Sequence, residues 1–301
     1  MKQTKLFLCG LLLVALASCS QDNEGVKEDD PVAAGFSALV GTVHDKSGNM
    51  LKSVTSSWYS GAQIGITMVE TGTDIIAESA DNKPYTYTSG SSFRTSAANT
   101  IYYPVDGSKV DFIAYHPYNS SVVSLGTLTI DVSDQSDQNA LDLLFAKTTG
   151  KDKNVPDVNL GFEHTMSRIT MTIAPGNGLA AADLQNLKVE LRGMNTRAQF
   201  STANGSLSNQ NTPATITIKT AADGTSSEGI ILPAAGGTYS FVFTLDGTGE
   251  PFIWDVPAGK EFKVGEENKY TVTLTRTEIN ITSSVSEWLP GNGDGEDANA
   301  E

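Results

Sequence analysis

The sequence predicts an all-β protein assembled from β-sandwiches. Apolar and polar residues alternate with a period of two from Phe36 onward. Turn signals rich in Gly, Asn and Asp separate the alternating runs, and no extended run follows the helical period. Side chains leave a strand on alternate faces, so alternation marks a strand with one buried face. Many short strands joined by Gly-rich turns point to sandwiches.

In chain order, the first element is an export signal. Met1–Lys5 carries two lysines, Leu6–Ala17 is apolar, and the run ends Leu16-Ala17-Ser18-Cys19. A basic start, a short apolar core and small residues before a cut are the layout of a secretory signal. The apolar run falls short of the roughly 20 residues that span a bilayer. Its last four residues resemble a bacterial lipobox. Residues 1–18 are therefore expected to be a signal peptide and Cys19 the lipid-bearing residue. An ordinary signal with an incidental cysteine is the alternative. Cys9 lies in the segment removed, so no thiol is left for a disulfide, a thiolate metal site or a nucleophile. Residues 19–34 read as a flexible acidic tether, because Ser20–Glu24 and Lys27–Pro31 are too polar to bury a face.

The strands follow. Phe36, Ala38 and Val40 share one parity, as do Val110, Phe112 and Ala114. Ile169, Met171 and Ile173 alternate with threonines, and Tyr239, Phe241, Phe243 and Leu245 form another face. Tyr270, Val272 and Leu274 precede a last alternation through Ile279, Ile281 and Val285. Branched Cβ atoms fit the pleated surface, which favours the Val, Ile and Thr of these runs. Leu179–Leu187 predicts a turn or two of helix feeding a strand from Lys188. The polar stretch Thr148–Asp157, with its Gly and Pro, suggests a boundary between domains at 35–157 and 158–290, and residues 291–301 read as a disordered tail.

Net charge is −15, and loss of Lys2 and Lys5 with the signal takes it to −17. Such a chain repels phosphates, which argues against a nucleic-acid partner. His44, His116 and His164 fall in no metal-binding spacing; His116 reads as a strand end and His164 as a strand start. Neither a Gly-x-Ser-x-Gly elbow nor a P-loop is present. Asp131, Asp134 and Asp137 miss the calcium-loop pattern and read as solvated turns, and Gly293–Asp297 is an equally weak candidate. No catalytic residues, cofactor or metal site are expected. Trp58, Tyr59, Tyr85, Tyr87, Tyr102 and Tyr103 are either a carbohydrate platform or packing residues.

Several segments resemble one family. They are Ile101–Tyr118, with its Tyr-His-Pro-Tyr ending; Leu160–Ile169; Ile230–Pro233; Ala258–Lys260; Tyr270–Leu274; and Ser283–Trp288, with Trp58–Ile66 ahead of them. Their order and spacing are similar to the fimbrillin (Mfa-like) family of Bacteroidia, and Ser20–Glu24 resembles the signal that sends lipoproteins of that group to the outer face of the outer membrane. The resemblance implies two tandem transthyretin-like β-sandwich domains and a pilus subunit on the cell surface, tethered to the outer membrane through lipid on Cys19. It also implies removal of an N-terminal strand by a protease that cuts after a basic residue, and filling of the emptied groove by a strand of another pilin subunit. Phe36, Ala38 and Val40 would lie on the removable strand, and Lys46 and Lys52 are the candidate cut sites. Ile279–Val285 is either the donor or the last strand of the second domain. The alternative function is an uncleaved, lipid-anchored adhesin for a host or glycan receptor.

Overall fold

The computed structural model describes residues 30–41, 43–44, 50–52, 58–247, 251–276 and 279–288. The chain is all-β, as expected. It begins with β1 (Gly35–Val40), a short ribbon of β2 (Val43–His44) and β3 (Met50–Lys52), then β4 (Gln63–Glu70), β5 (Lys83–Ser89), β6 (Ser92–Arg94) and β7 (Val110–His116). It continues through β8 (Thr127–Asp131), helix α1 (Gln138–Leu141), β9 (Leu144–Lys151), β10 (Asp157–His164) and β11 (Ser167–Pro175). The remainder comprises β12 (Lys188–Ser201), β13 (Leu207–Thr220), β14 (Ser226–Ile231), β15 (Ala234–Ala235), β16 (Ser240–Thr244), β17 (Pro251–Asp255), β18 (Glu261–Phe262), β19 (Glu266–Leu274) and β20 (Ile279–Glu287).

Strands β1-β10-β9-β7-β4-β5-β6 close into a barrel. A second sheet runs β17-β16-β12-β13-β14-β11-β19-β20, with β8 added against β12. Each system has its own apolar core. Phe36, Trp58, Phe112 and Phe162 belong to the barrel core, and Phe200, Phe241, Tyr270 and Trp288 to the other. The predicted helical stretch is one turn of 3-10 helix, Ala181–Leu184, and it leads into β12 at Lys188.

Three details differ from the expectations. The polar stretch 148–157 is the β9–β10 hairpin inside the barrel. The change of core falls instead between Phe162 and Met166. Moreover Val122, Leu128, Val132, Leu141 and Leu143 leave the barrel to join the second core, carrying β8 into its ladder with β12. His164 closes β10 rather than starting a strand. Strand β7 is buried on both faces, not one: Phe112 faces the barrel core while Tyr115 packs toward Phe200 of β12, ring centroids 6.4 Å apart. Phe145 of β9 also packs against the second core; Gly205 (φ 71°) lies so near that a Cβ there would come within 2.5 Å of the Phe145 ring.

Asp131, Asp134 and Asp137 each accept from backbone amides two or three residues on, at Ser133, Ser136, and Asn139 with Ala140. Their carboxylates are turn and helix caps. Among the described residues no group of three His, Cys, Asp or Glu could hold a metal ion, and no helix is long and apolar enough to cross a membrane.

Candidate functional site

Strand β1 is an interior stave of the barrel. It pairs in parallel with β10 over six residues, Gly35↔Asp157 to Val40↔Phe162. On its other side it pairs antiparallel with β6 at Phe36↔Phe93 and Ser37↔Ser92. Ordered pairing begins upstream, where Tyr103 N–H donates to the Val32 carbonyl and Ala34 N–H to that of Ile101, both at 2.9 Å. The tether expected over 19–34 is therefore bonded at its end. Strand β10 depends on β1, since its register with β9 comprises only Glu163↔Phe145 and His164↔Leu144. Without β1, both β10 and β6 would present unpaired backbone edges.

The three side chains expected on the inner parity are the buried ones. Phe36, Ala38 and Val40 are 5%, 1% and 5% exposed, with intermediate residues between them. Each meets different neighbours. The Phe36 ring stands edge-on to Tyr85 at 4.8 Å and Phe112 at 5.2 Å. Ala38 N–H donates to the Ser91 carbonyl at 2.8 Å, and its own carbonyl accepts Trp58 Nε1–H at 3.1 Å. A residue's N–H and C=O leave a parallel-paired strand on one side. Here that side lies beyond the end of β6, so an indole takes the place of a ladder donor. The Trp58 ring is held edge-on by Phe93 at 5.0 Å and by His116 and Phe162 at 5.3 Å.

Val40 opens onto a cavity of about 500 Å³ between the two cores, lined also by Trp58, Tyr59, His116, His164 and Trp288. His164 Nδ1 lies 2.7 Å from Asp142 Oδ1, and its ring stacks on Trp288 at 3.7 Å and 8°. His116 Nδ1–H donates to the Gln63 carbonyl at 2.8 Å. Burial pushes the His116 pKa below its ordinary value of 6.5, so the ring is neutral near pH 7. Trp288 directly follows β20, so the ends of the first and last strands line one cavity.

Strand β20 occupies the edge of the second sheet, antiparallel to β19 over nine residue pairs. Ile279 and Ile281 are half-buried against the core, and Val285 is 47% exposed. Among the described residues no strand besides β19 pairs with β20.

Of the remaining candidates, Lys52 is the last residue of β3, and Cys19, Lys46, the export signal and the tail 291–301 lie outside the described residues. Trp58, Tyr85 and Tyr103 are buried in the barrel core, which removes them from any exposed platform. Sequence reasoning missed Trp58 as a β1 contact and Asp142 and Trp288 as partners of His164. It also missed Asp111. This carboxylate is 2% exposed and accepts N–H from Gly150 at 2.9 Å and Gly72 at 3.1 Å. Burial raises its pKa, but those bonds win and hold it below the usual 3.8. Only the folding of two loops over β7 distinguishes it from a solvent-facing strand residue.

A family model described as fimbrillin-like matches residues 52–288. A curated protein of Bacteroides uniformis, named "Putative fimbrium subunit Fim1C", is 33% identical over 311 residues, covering all of both chains. A crystal structure described as a "putative cell adhesion protein" from Bacteroides uniformis ATCC 8492 superposes with a TM-score of 0.74 and 31% identity, over 86% of this chain and 99% of that one. The tip fimbrial protein Mfa3 of Porphyromonas gingivalis matches with a TM-score of 0.55 at 11% identity, over 86% of this chain and all of that one, and so shares the fold.

Proposed function

This chain belongs to the fimbrillin-like family, and from that premise we propose that it is a structural subunit of a cell-surface fimbrium, assembled by strand exchange. In this reading the chain is exported as a lipoprotein on Cys19 and cut after Lys46 or Lys52. Strand β1 then leaves and a strand of another subunit takes its place. The observation that carries the reading is the position of β1. It is a complete stave with three buried side chains, yet one chain segment, 41–57, joins it to the rest of the barrel. A cut in that segment turns covalent attachment into strand complementation, where main-chain bonds and alternating apolar side chains do the holding. Because β10 has little other pairing, the groove is stable when filled and exposed when empty. The segment Ile279–Val285 lies in β20, the last strand of the second sheet, paired among described strands with β19 alone; we assign the donor to this strand. We read the two cores as the two sandwich domains that the family resemblance implies.

The test is a gel. Native envelope protein run without boiling should give a ladder of polymers that collapses on boiling. A variant carrying Lys46→Gln and Lys52→Gln should stay monomeric. A ladder that persists in the double variant would overturn the cut sites, and a cut protein that remains monomeric would overturn the assembly.

A further inference from the structure

We propose that Asn177 is a spontaneous modification site of the folded chain, where the Gly178 nitrogen displaces the side-chain amide and leaves an aspartyl or isoaspartyl residue beside Arg276. Nothing in this chemistry needs a second subunit or the removal of β1.

Asparagine is among the chemically labile residues. A following glycine exposes it most, since no Cβ shields the backbone nitrogen that attacks. The chain has three Asn-Gly pairs, Asn177–Gly178, Asn204–Gly205 and Asn292–Gly293. The last lies outside the described residues. The other two share a left-handed glycine, with φ 85° at Gly178 and 71° at Gly205. Their bonding differs. Asn204 Oδ1 accepts the Ser206 N–H at 3.0 Å and the Ser206 hydroxyl at 2.7 Å. The Gly205 N–H donates to the Ser201 carbonyl at 2.9 Å, and the Phe145 ring closes on the same glycine. Amide and nucleophile are both held. At Asn177–Gly178 both residues are exposed, and neither the Asn177 side chain nor the Gly178 N–H has a hydrogen-bond partner among the described residues.

The step needs no reagent but water. The Gly178 nitrogen bonds to Asn177 Cγ, its proton and the amide group leave as ammonia, and a five-membered imide closes. Water opens the imide at one carbonyl or the other. Either product carries a new carboxylate, and the isoaspartyl form also lengthens the backbone by one methylene. This turn clamps the end of β19. The Gly176 N–H donates to the Leu274 carbonyl at 2.6 Å, and the Asn177 carbonyl accepts the Arg276 N–H at 3.2 Å. The Gly178 carbonyl accepts Arg276 Nε–H at 3.0 Å. The aspartyl form sets its charge beside the Arg276 guanidinium. The isoaspartyl form displaces the carbonyls that hold Arg276, between β19 and β20.

The test ages the full chain in mildly alkaline buffer, folded and in urea, and follows each Asn-Gly pair by peptide mass mapping. Asn177→Gln should abolish the signal assigned to that site. In the folded chain Asn177 should convert at least about tenfold faster than Asn204, whose reaction waits on local opening. In urea the two rates should converge. The isoaspartyl fraction should exchange its Gly176 and Arg276 amides faster than the parent. Equal rates at the two pairs in the folded chain would overturn the assignment, as would an Asn177 that stays intact in the fold or rates that remain apart in urea. Unchanged exchange at Gly176 and Arg276 would overturn the effect on the β19–β20 connection while the site stands.

Discussion

Truncating Phe36 to alanine tests whether β1 is a load-carrying part of the barrel. The ring is 5% exposed and edge-on to Tyr85 and Phe112. Losing a buried Phe side chain costs about 3–5 kcal/mol, transfer and cavity together. The two ring pairs account for about 0.5–1.5 kcal/mol each within that. A domain has only about 5–15 kcal/mol in all, so the barrel should lose a large fraction of its stability. Urea unfolding with hydrogen exchange read in residues 92–94 and 157–162, the strands flanking β1, would localise the loss. Val155→Ala, at a residue 63% exposed, should stay within about 0.5 kcal/mol of the parent. A Phe36→Ala protein within about 1 kcal/mol of the parent, with unchanged exchange in both flanking strands, would refute the reasoning.

Three further outcomes follow from the same geometry. Because burial depresses His116 below 6.5, the unfolded chain binds a proton that the folded chain does not, so barrel stability should fall as pH drops below 6.5 toward the depressed value, and His116→Gln should flatten that slope in thermal melts. Asp111→Ala orphans the Gly72 and Gly150 amides at about 1–3 kcal/mol each; urea melts should show this loss near pH 7 and a shrinking difference in acid, since a depressed carboxyl loses its contribution as pH falls through its folded pKa. Trp288→Ala removes the ring stacked on His164 and should destabilise the second core by about 3–5 kcal/mol, with faster amide exchange along β20.

Local pattern exposed much of this architecture in the sequence. Phe36, Ala38 and Val40 are buried at the predicted parity, because alternation is imposed residue by residue along a strand. The one-turn helix before Lys188 was legible from its own local run, Leu179–Leu187. What escaped depends on distant chain. Residues 122–143 join the core opposite the barrel strands that flank them, through pairing of β8 with β12 some 70 residues later. That excursion shares a core with Tyr115 on the outer face of β7, while the loops at Gly72 and Gly150 cover Asp111, so the strand is buried on both sides. Thr148–Asp157 has the composition of a linker, but a hairpin turn needs the same Gly, Pro and polar residues. At the candidate site the β1 parity could be read, whereas the Trp58 bond to Ala38 and the His164–Trp288 stack join segments with no sequence relation.

The most direct test of strand exchange is the intact mass of the native protein taken from the cell envelope. Strand exchange after cleavage predicts a chain that begins at Ser47 or Ser53 and carries no lipid. A chain that begins at acylated Cys19, with β1 still attached, would contradict it and leave a tethered surface protein in its place.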